Sequence, residues 1–316
     1  MRIFSAGEVE TGLDYADLVE TLRTAFQREA VVPLRHHHSI PTEGREATLL
    51  LMPAWSAPAP APAHLGVKVV TVYPDNATRD LPSVLGTYLL LDGPTGVPVA
   101  SIDGPTLTAR RTAAASALAA DYLARPDARN LLMVGTGRLA GSLIEAHTAV
   151  RPIRQTVIWG RDRDKAVRLA DRLDNDTNRI TATDDLAAAA TSADIISCAT
   201  TSQDPLIHGD WLRAGVHVDL VGGFRPDMRE ADDDVMGRGR IFADTRAGVL
   251  AEAGDIIQPL DAGLITADDI AGDLFELCQG RCEGRRSPDE ITVFKSVGSA
   301  LEDLAAAEHL LAGEMS

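Results

Sequence analysis

A doubly wound α/β sheet of parallel strands, joined to a smaller α+β region, is the fold class this sequence predicts. Three observations predict it. From residue 131 apolar runs alternate with helical spacing: LLMVG, a helix to about 149, QTVIWG, a helix from about 163, then DIISCAT, VHVDLVGG, RIFADT, ITVFKSVG and a final helix. The first third instead sets strands close together, around 46–52, 65–73, 84–92 and 97–103, after a helix near 14–29. Strands with such short connections pair antiparallel. The length, 316 residues, exceeds what one hydrophobic core usually fills, so two domains are expected.

Within the first region the run SAPAPAPAH, 56–64, alternates proline and alanine and reads as an extended surface loop. TLTARRTAAASALAADYLA, 106–124, is helical by its alanine content, with Thr108 as the expected N-cap. The last helix, SALEDLAAAEHLLA, follows the parallel strands and is expected to return to the first domain. The predicted division is therefore 1–122 with 299–316, and 123–298.

Composition narrows the function classes. Thirty basic residues against 46 acidic ones, net charge −16, argue against a nucleic-acid partner, which requires a basic face for counterion release. No apolar run approaches the roughly 20 residues that span a bilayer, and Met1-Arg2-Ile3-Phe4 does not open a signal peptide, so the cytoplasm is the expected compartment. Cys198, Cys278 and Cys282 read as structural; the last two sit four apart in an expected helix without a flanking His. No metal is expected. Of the thirty basic residues only Lys68, Lys165 and Lys295 are lysines. An ammonium is a compact donor whose pKa shifts on burial, whereas a guanidinium stays charged, so Lys68 and Lys295, set among apolar residues, are marked for roles arginine cannot fill.

Gly135-Thr136-Gly137-Arg138-Leu139-Ala140 is a GxGxxA turn between a strand and a helix. One glycine allows the tight turn, the next lets backbone approach a pyrophosphate, and the small sixth residue lets helix pack on strand. The anion then rests on the helix N-terminus. The next strand ends Trp159-Gly160-Arg161-Asp162-Arg163. Arg161 is placed to meet a ribose 2′-phosphate, which favours NADPH over NADH; Asp162, one position later, is the alternative partner for a ribose hydroxyl.

With GVKVVTVYPDN, LTARRTAAASALAA, VGTGRLAG, VGGFRPDMRE, FADTRAGVLAEAGD and FKSVGSALEDLAA in this order, nearly the whole chain resembles the ornithine cyclodeaminase/mu-crystallin family. The resemblance implies an N-terminal substrate-binding and dimerising domain completed by the C-terminal helix, an NAD(P)-binding Rossmann domain, and a homodimer. It implies substrate contacts at Lys68, Arg111 and Arg35, and cofactor contacts at Ser83, Thr87, Arg111, Gly137, Arg161, Thr200, Val221 and Ser296. Ornithine cyclodeaminases carry an acidic residue in the GGDCPG segment and another just before LMP. Here those positions hold Phe224 and Leu50, which neither accept a proton nor pair with an ammonium. The FRPDMRE variant, RHHHSIP and LLLMPAW resemble the imine-reducing members, among them Δ1-pyrroline-2-carboxylate reductases.

The expected substrate is then a small cyclic 2-imino acid. Arg35 or Arg111 would grip its carboxylate in a two-pronged manner, Phe224 with Leu50 or Met52 would wall the ring, and Lys68 would steer a proton or serve as a further carboxylate anchor. Lys295 is expected to be a support residue. His36, His37 and His38 lie on a strand where neighbours alternate faces, so one is expected toward the pocket. Asp227 and Glu230 read as capping groups of a helix. The rival readings are an amino acid dehydrogenase or open-chain imine reductase of the alanine type, and a protein that binds NADPH and a small ligand without turnover.

Overall fold

The computed structural model describes residues 1–56 and 63–314. The expected proline-alanine loop falls at 57–62, outside the described residues. The chain divides into two compact units, Met1–Thr112 with Ser299–Ser316 and Ala113–Gly298. The division lies inside a helix, at 112/113, where composition had suggested its far end at 122/123.

The first unit runs β1 (Arg2–Phe4), α1 (Ala6–Gly12), α2 (Tyr15–Phe26), β2 (Ala30–Val31), β3 (His36–Ile40), β4 (Ala47–Ser56), β5 (His64–Val72), β6 (Val84–Asp92), β7 (Pro98–Asp103) and the start of α3 (Gly104–Leu123). β4 through β7 form an antiparallel meander, β2 and β3 both pair with β4, and β1 pairs parallel with β7. Thr108 does not cap α3. The helix starts four residues earlier, where Asp103 Oδ1 accepts from the Thr106 N–H at 2.9 Å. Gly104 permits that start, because a Cβ there would lie 2.7 Å from the Gly86 backbone of β6.

Alternation along the meander sets two faces. The register places Met52 opposite Lys68, Lys68 opposite Tyr88 and Tyr88 opposite Ile102, so these four share one face, and all are buried. The unit's last helix, on residues 300–314, packs against α2, β4 and β5. It is alanine-rich and buried nearly all round; even its Glu302 and Asp303 are fully buried.

The second unit runs β8 (Asn130–Val134), α4 (Arg138–Val150), β9 (Gln155–Trp159), α5 (Arg163–Leu173), β10 (Arg179–Thr183), α6 (Leu186–Ser192), β11 (Ile195–Cys198), β12 (His217–Leu220), α7 (Asp233–Arg238), β13 (Arg240–Ala243), α8 (Arg246–Glu252), α9 (Gly254–Asp261), β14 (Ile270–Asp273), α10 (Leu274–Cys278) and β15 (Thr292–Lys295). The helix at Ala300–Glu314 is then α11. All pairs in this sheet are parallel, in the order β10-β9-β8-β11-β12-β15-β13-β14. Chain direction across the sheet reverses between β8 and β11, which is the switch point where doubly wound sheets receive ligands. β8, β11 and β12 are buried on both faces and read as apolar runs for that reason.

Cys278 is the last residue of α10 and Cys282 lies beyond it, so the two are not on one helix. Asp227 and Glu230 do not cap either. α7 begins at Asp233, and its N-cap is Asp232, which accepts from Val235 N–H.

Candidate functional site

In the first unit the chemistry gathers around Lys68, in the middle of β5. Its Nζ donates to Asp303 Oδ1 at 3.0 Å and lies 2.8 Å from Oδ2. The same Oδ1 accepts from Arg111 Nε at 2.9 Å, and Glu302 accepts from Arg111 Nη1 at 2.6 Å. Lys68 and Arg111 are 2% and 4% exposed. Two consecutive carboxylates of α11 thus hold together a strand lysine and a helix arginine. Burial, with Arg111 and then Arg35 adding to it, lowers the Lys68 pKa to about 8 against the opposing pull of Asp303. Burial also opposes the charge on Arg111, but Asp303 and Glu302 outweigh it and raise its pKa.

Arg35 is half-buried and close enough for its charge to reach Lys68. Met52 faces Lys68 across the strand pair, and Leu50, two places along, is half-buried. His37 pairs with Leu50 and so shares that face, whereas His36 and His38 share the other with their rings edge to face; all three are exposed. Thr87 bonds Ser101 and the Ile102 carbonyl, and the Ser83 carbonyl accepts from Tyr73 N–H. The sequence reading did not mark Asp303, Glu302 or Tyr88. Tyr88 is fully buried, its hydroxyl has no hydrogen-bond partner among the described residues, and burial with Asp303 and Glu308 nearby pushes its pKa well up.

In the second unit the glycine turn sits at the end of β8, beside the switch point. Gly135 has φ 123°, and a Cβ there would lie 2.6 Å from the Ala199 carbonyl; only glycine fits. Gly137 opens onto free space and is the N-cap of α4 with no side chain capping it. The start of α4, at Arg138 and Leu139, thus carries no side-chain cap, and a helix N-terminus of this kind suits an anion. Thr136 packs against Gly160 at the end of β9, where a Cβ would meet its methyl at 2.7 Å. Arg161 is exposed, and no hydrogen bond or ion pair holds it among the described residues. Asp162 instead caps α5, accepting from Lys165 N–H at 3.1 Å. These residues fit a dinucleotide: a helix start without a side-chain cap for the pyrophosphate and an exposed cation for a ribose phosphate.

Beyond the ends of β11, β12 and β15 lies a second buried ionic group. Glu230 accepts from Thr200 N–H at 2.7 Å, Thr200 Oγ1 at 2.8 Å and Gly222 N–H at 2.7 Å. Asp255 Oδ1 accepts from the Glu230 and Ala231 amides, and its Oδ2 is 3.0 Å from Lys295 Nζ without hydrogen-bond alignment. Burial first, and Asp255 next to it, push the Glu230 pKa up against Lys295 and the Thr200 donors. Thr200 is half-buried; Val221 and Ser296, which follow β12 and β15, are buried. Phe224 is 44% exposed and so walls nothing within its own unit; the two glycines before it lead the chain out to the surface. Among the described residues no group of three His, Cys, Asp or Glu is placed to hold a metal, and no helix is long and apolar enough to cross a membrane.

Comparison with known proteins agrees with this arrangement. The pattern of the ornithine cyclodeaminase/mu-crystallin family matches residues 2–312. The chain is 42% identical over 289 residues to a Δ1-pyrroline-2-carboxylate reductase of Paracoccus denitrificans, covering 90% of this chain and 91% of that one. The structure of Thermococcus litoralis Δ1-pyrroline-2-carboxylate reductase with NADH and L-proline superposes with TM-score 0.92 at 34% identity, covering 100% and 98% of the two chains. An archaeal alanine dehydrogenase dimer with bound NAD follows at TM-score 0.89 and 25% identity, covering 100% and 96%. The chain belongs to the ornithine cyclodeaminase/mu-crystallin family.

Proposed function

We infer that this protein is an NAD(P)H-dependent reductase of small cyclic 2-imino acids, converting Δ1-pyrroline-2-carboxylate to L-proline and accepting the six-membered Δ1-piperideine-2-carboxylate. The observation that carries the reading is the buried Lys68–Arg111 pair beside Met52, in a chain with Leu50 and Phe224 where a cyclodeaminase needs acids. Lys68 and Arg111, with the charge of Arg35 reaching Lys68, make this a cationic surrounding, which suits a substrate with a carboxylate. Arg111 with Arg35 grips that carboxylate and so fixes the ring. Lys68, with one of its three donor positions committed to Asp303, delivers a proton to the imine nitrogen. The bound dihydronicotinamide supplies the hydride.

The amides at the start of α4 take the pyrophosphate, and Arg161, free of other partners while Asp162 is engaged as a cap, favours NADPH over NADH. Thr200, Val221 and Ser296 line the nicotinamide end. A homodimer fits the second face of the meander, where Leu51, Trp55, Leu65, Val67, Leu89 and Leu91 remain only half-buried; light scattering would return twice the chain mass. The free cysteines suit a reducing compartment such as the cytoplasm.

Assays of NADPH and NADH oxidation with both cyclic imines, and with pyruvate plus ammonia, test the reading. The cyclic imines with NADPH should give the highest kcat/KM, and Arg161→Ala should raise the KM for NADPH by about 10- to 100-fold, the worth of charge-assisted bonds, while leaving that for NADH. Faster turnover of pyruvate plus ammonia would transfer the chain to the alanine dehydrogenase type, the reading favoured by the second structural neighbour.

A further inference from the structure

Asp303 bonds Lys68 and Arg111, two of the three proposed substrate-binding cations. Its Oδ1 is shared between Lys68 Nζ at 3.0 Å and Arg111 Nε at 2.9 Å. Such sharing keeps the two nitrogens within reach of one oxygen, so whatever Arg111 holds is presented close to Lys68. Asp303 itself cannot drift: it is fully buried on α11, whose flanking Ala305, Ala306 and Leu304 are buried against the sheet and α2. Glu302 takes the other edge of Arg111 and also accepts from Ser299 N–H, pinning the start of the same helix. The carboxylate that organises the site is thus brought to the substrate domain by the last helix of the chain.

We propose that Asp303 is a positioning residue of the reduction: it holds Lys68 as an ammonium beside Arg111 and aims its remaining N–H groups at the imine nitrogen. The inference rests on the reductase reading above. In the step it serves, an N–H bond of the Lys68 ammonium breaks as the imine nitrogen gains that proton. When bound, the dihydronicotinamide would supply the hydride for the new C–H bond at the imine carbon and be oxidised by two electrons, while the C=N π pair moves to nitrogen. Lys68 is left as the neutral amine and regains its proton from solvent, so charge and electrons balance. The titratable groups around it come from every element packed there: Asp303 and Glu302 from α11, with Glu308 farther along that helix and paired to His64 at 3.0 Å, Arg111 from α3, Arg35 from the segment before β3, and Tyr88 from β6; of these Arg111, Asp303 and Arg35 act on its charge. Among these only the carboxylates favour the ammonium, and Asp303 is the one in contact with it.

The test is the pH profile of kcat/KM with Δ1-pyrroline-2-carboxylate, together with a direct titration of Lys68. The wild-type rate should fall as pH rises through about 8, where Lys68 loses its proton. Asp303→Asn removes the counter-charge, so the alkaline limb should move down by at least ~1 unit and kcat should fall more than KM rises. Asp303→Glu, which keeps the charge on a longer arm, should keep the limb near the wild-type pH while lowering kcat. A role confined to packing would lower stability and activity but leave the limb in place. Because the chain has only three lysines, 13Cε-lysine spectra resolve Lys68 by comparison with Lys68→Arg and read its titration without any assay. That measurement also serves should the asparagine variant fail to fold: in the glutamate variant Lys68 should still titrate near its wild-type midpoint. A folded Asp303→Asn enzyme with an unmoved limb, or a Lys68 midpoint that ignores the substitution or shifts equally with glutamate, overturns the inference. A wild-type protein that turns over no cyclic imine instead removes the reductase reading, and the two failures are distinct.

Discussion

Two of the three lysines are buried, and each faces one aspartate, yet their surroundings are opposite. Lys68 meets Asp303 in the company of Arg111 and Arg35, and burial, with those cations adding to it, draws the lysine toward neutrality. Lys295 meets Asp255 in the company of Glu230, so anions are in excess and it is a carboxyl that is pushed toward neutrality. The second group spends its oxygens on backbone: Glu230 and Asp255 together accept from the amides of Thr200, Gly222, Glu230 and Ala231. The first accepts side-chain donors from Lys68 and Arg111, together with the Ser299 amide, and leaves cation donors over. A buried carboxylate pair tied chiefly to main-chain amides fixes the loops that carry those amides, whereas a pair tied chiefly to side-chain cations fixes the cations.

The largest effect should come from Lys68→Met. Loss of the positioned proton donor should lower kcat/KM for the cyclic imine by about 10²- to 10⁴-fold, while Arg111 still neutralises Asp303 and limits the stability loss. Lys295→Met should do the reverse to stability. It strands Asp255 and Glu230 without a buried cation, and urea unfolding should show a loss of about 3–5 kcal/mol, the cost of breaking a buried pair by removing one partner. If Lys68→Met proved as destabilising as Lys295→Met while retaining activity, the contrast between the two clusters would be gone.

Much of this contrast was legible before any coordinates. The glycine turn is local, since strand, turn and helix are contiguous and each glycine answers a steric demand of its neighbours. The scarcity of lysine marked both Lys68 and Lys295. The parallel strands announced themselves as apolar runs because both faces are covered, whereas RITAT at β10 and IAGD at β14 carry too few apolar residues to register as strands. Asp303 and Glu302 escaped because an acidic pair in an alanine-rich helix reads as a solvated face; only the apolar residues on every other side of α11 hint that no such face exists. Glu230 was misread as a cap for the same kind of reason. It opens the acidic run EADDD, typical of a helix start, but Met228 and Glu230 are both buried, and the carboxylate enters the protein ahead of the helix.

The smallest predicted effect sharpens the comparison from the anionic side. A carboxyl whose pKa is higher folded than its unfolded value, about 4.3 for Glu, binds its proton more tightly in the folded state. Its contribution to stability is therefore complete below that unfolded value and is lost as pH rises through the folded one. For Glu230, raised chiefly by burial, stability should decline with rising pH above the ordinary carboxylate range, by about 1.4 kcal/mol for each unit of displacement. Glu230→Gln carries no charge to titrate, so urea midpoints measured from pH 5 to 7.5 should form a flatter line than in the wild type, starting lower because an amide serves the Thr200 and Gly222 donors with one oxygen instead of two. Parallel slopes in the two proteins would mean that Lys295 and the three converging donors compensate the burial of Glu230 in full. The second cluster would then be electrostatically balanced even though Lys295 Nζ and Asp255 Oδ2 share no aligned hydrogen bond, leaving Lys68 as the group of the pair whose charge is displaced from its ordinary state.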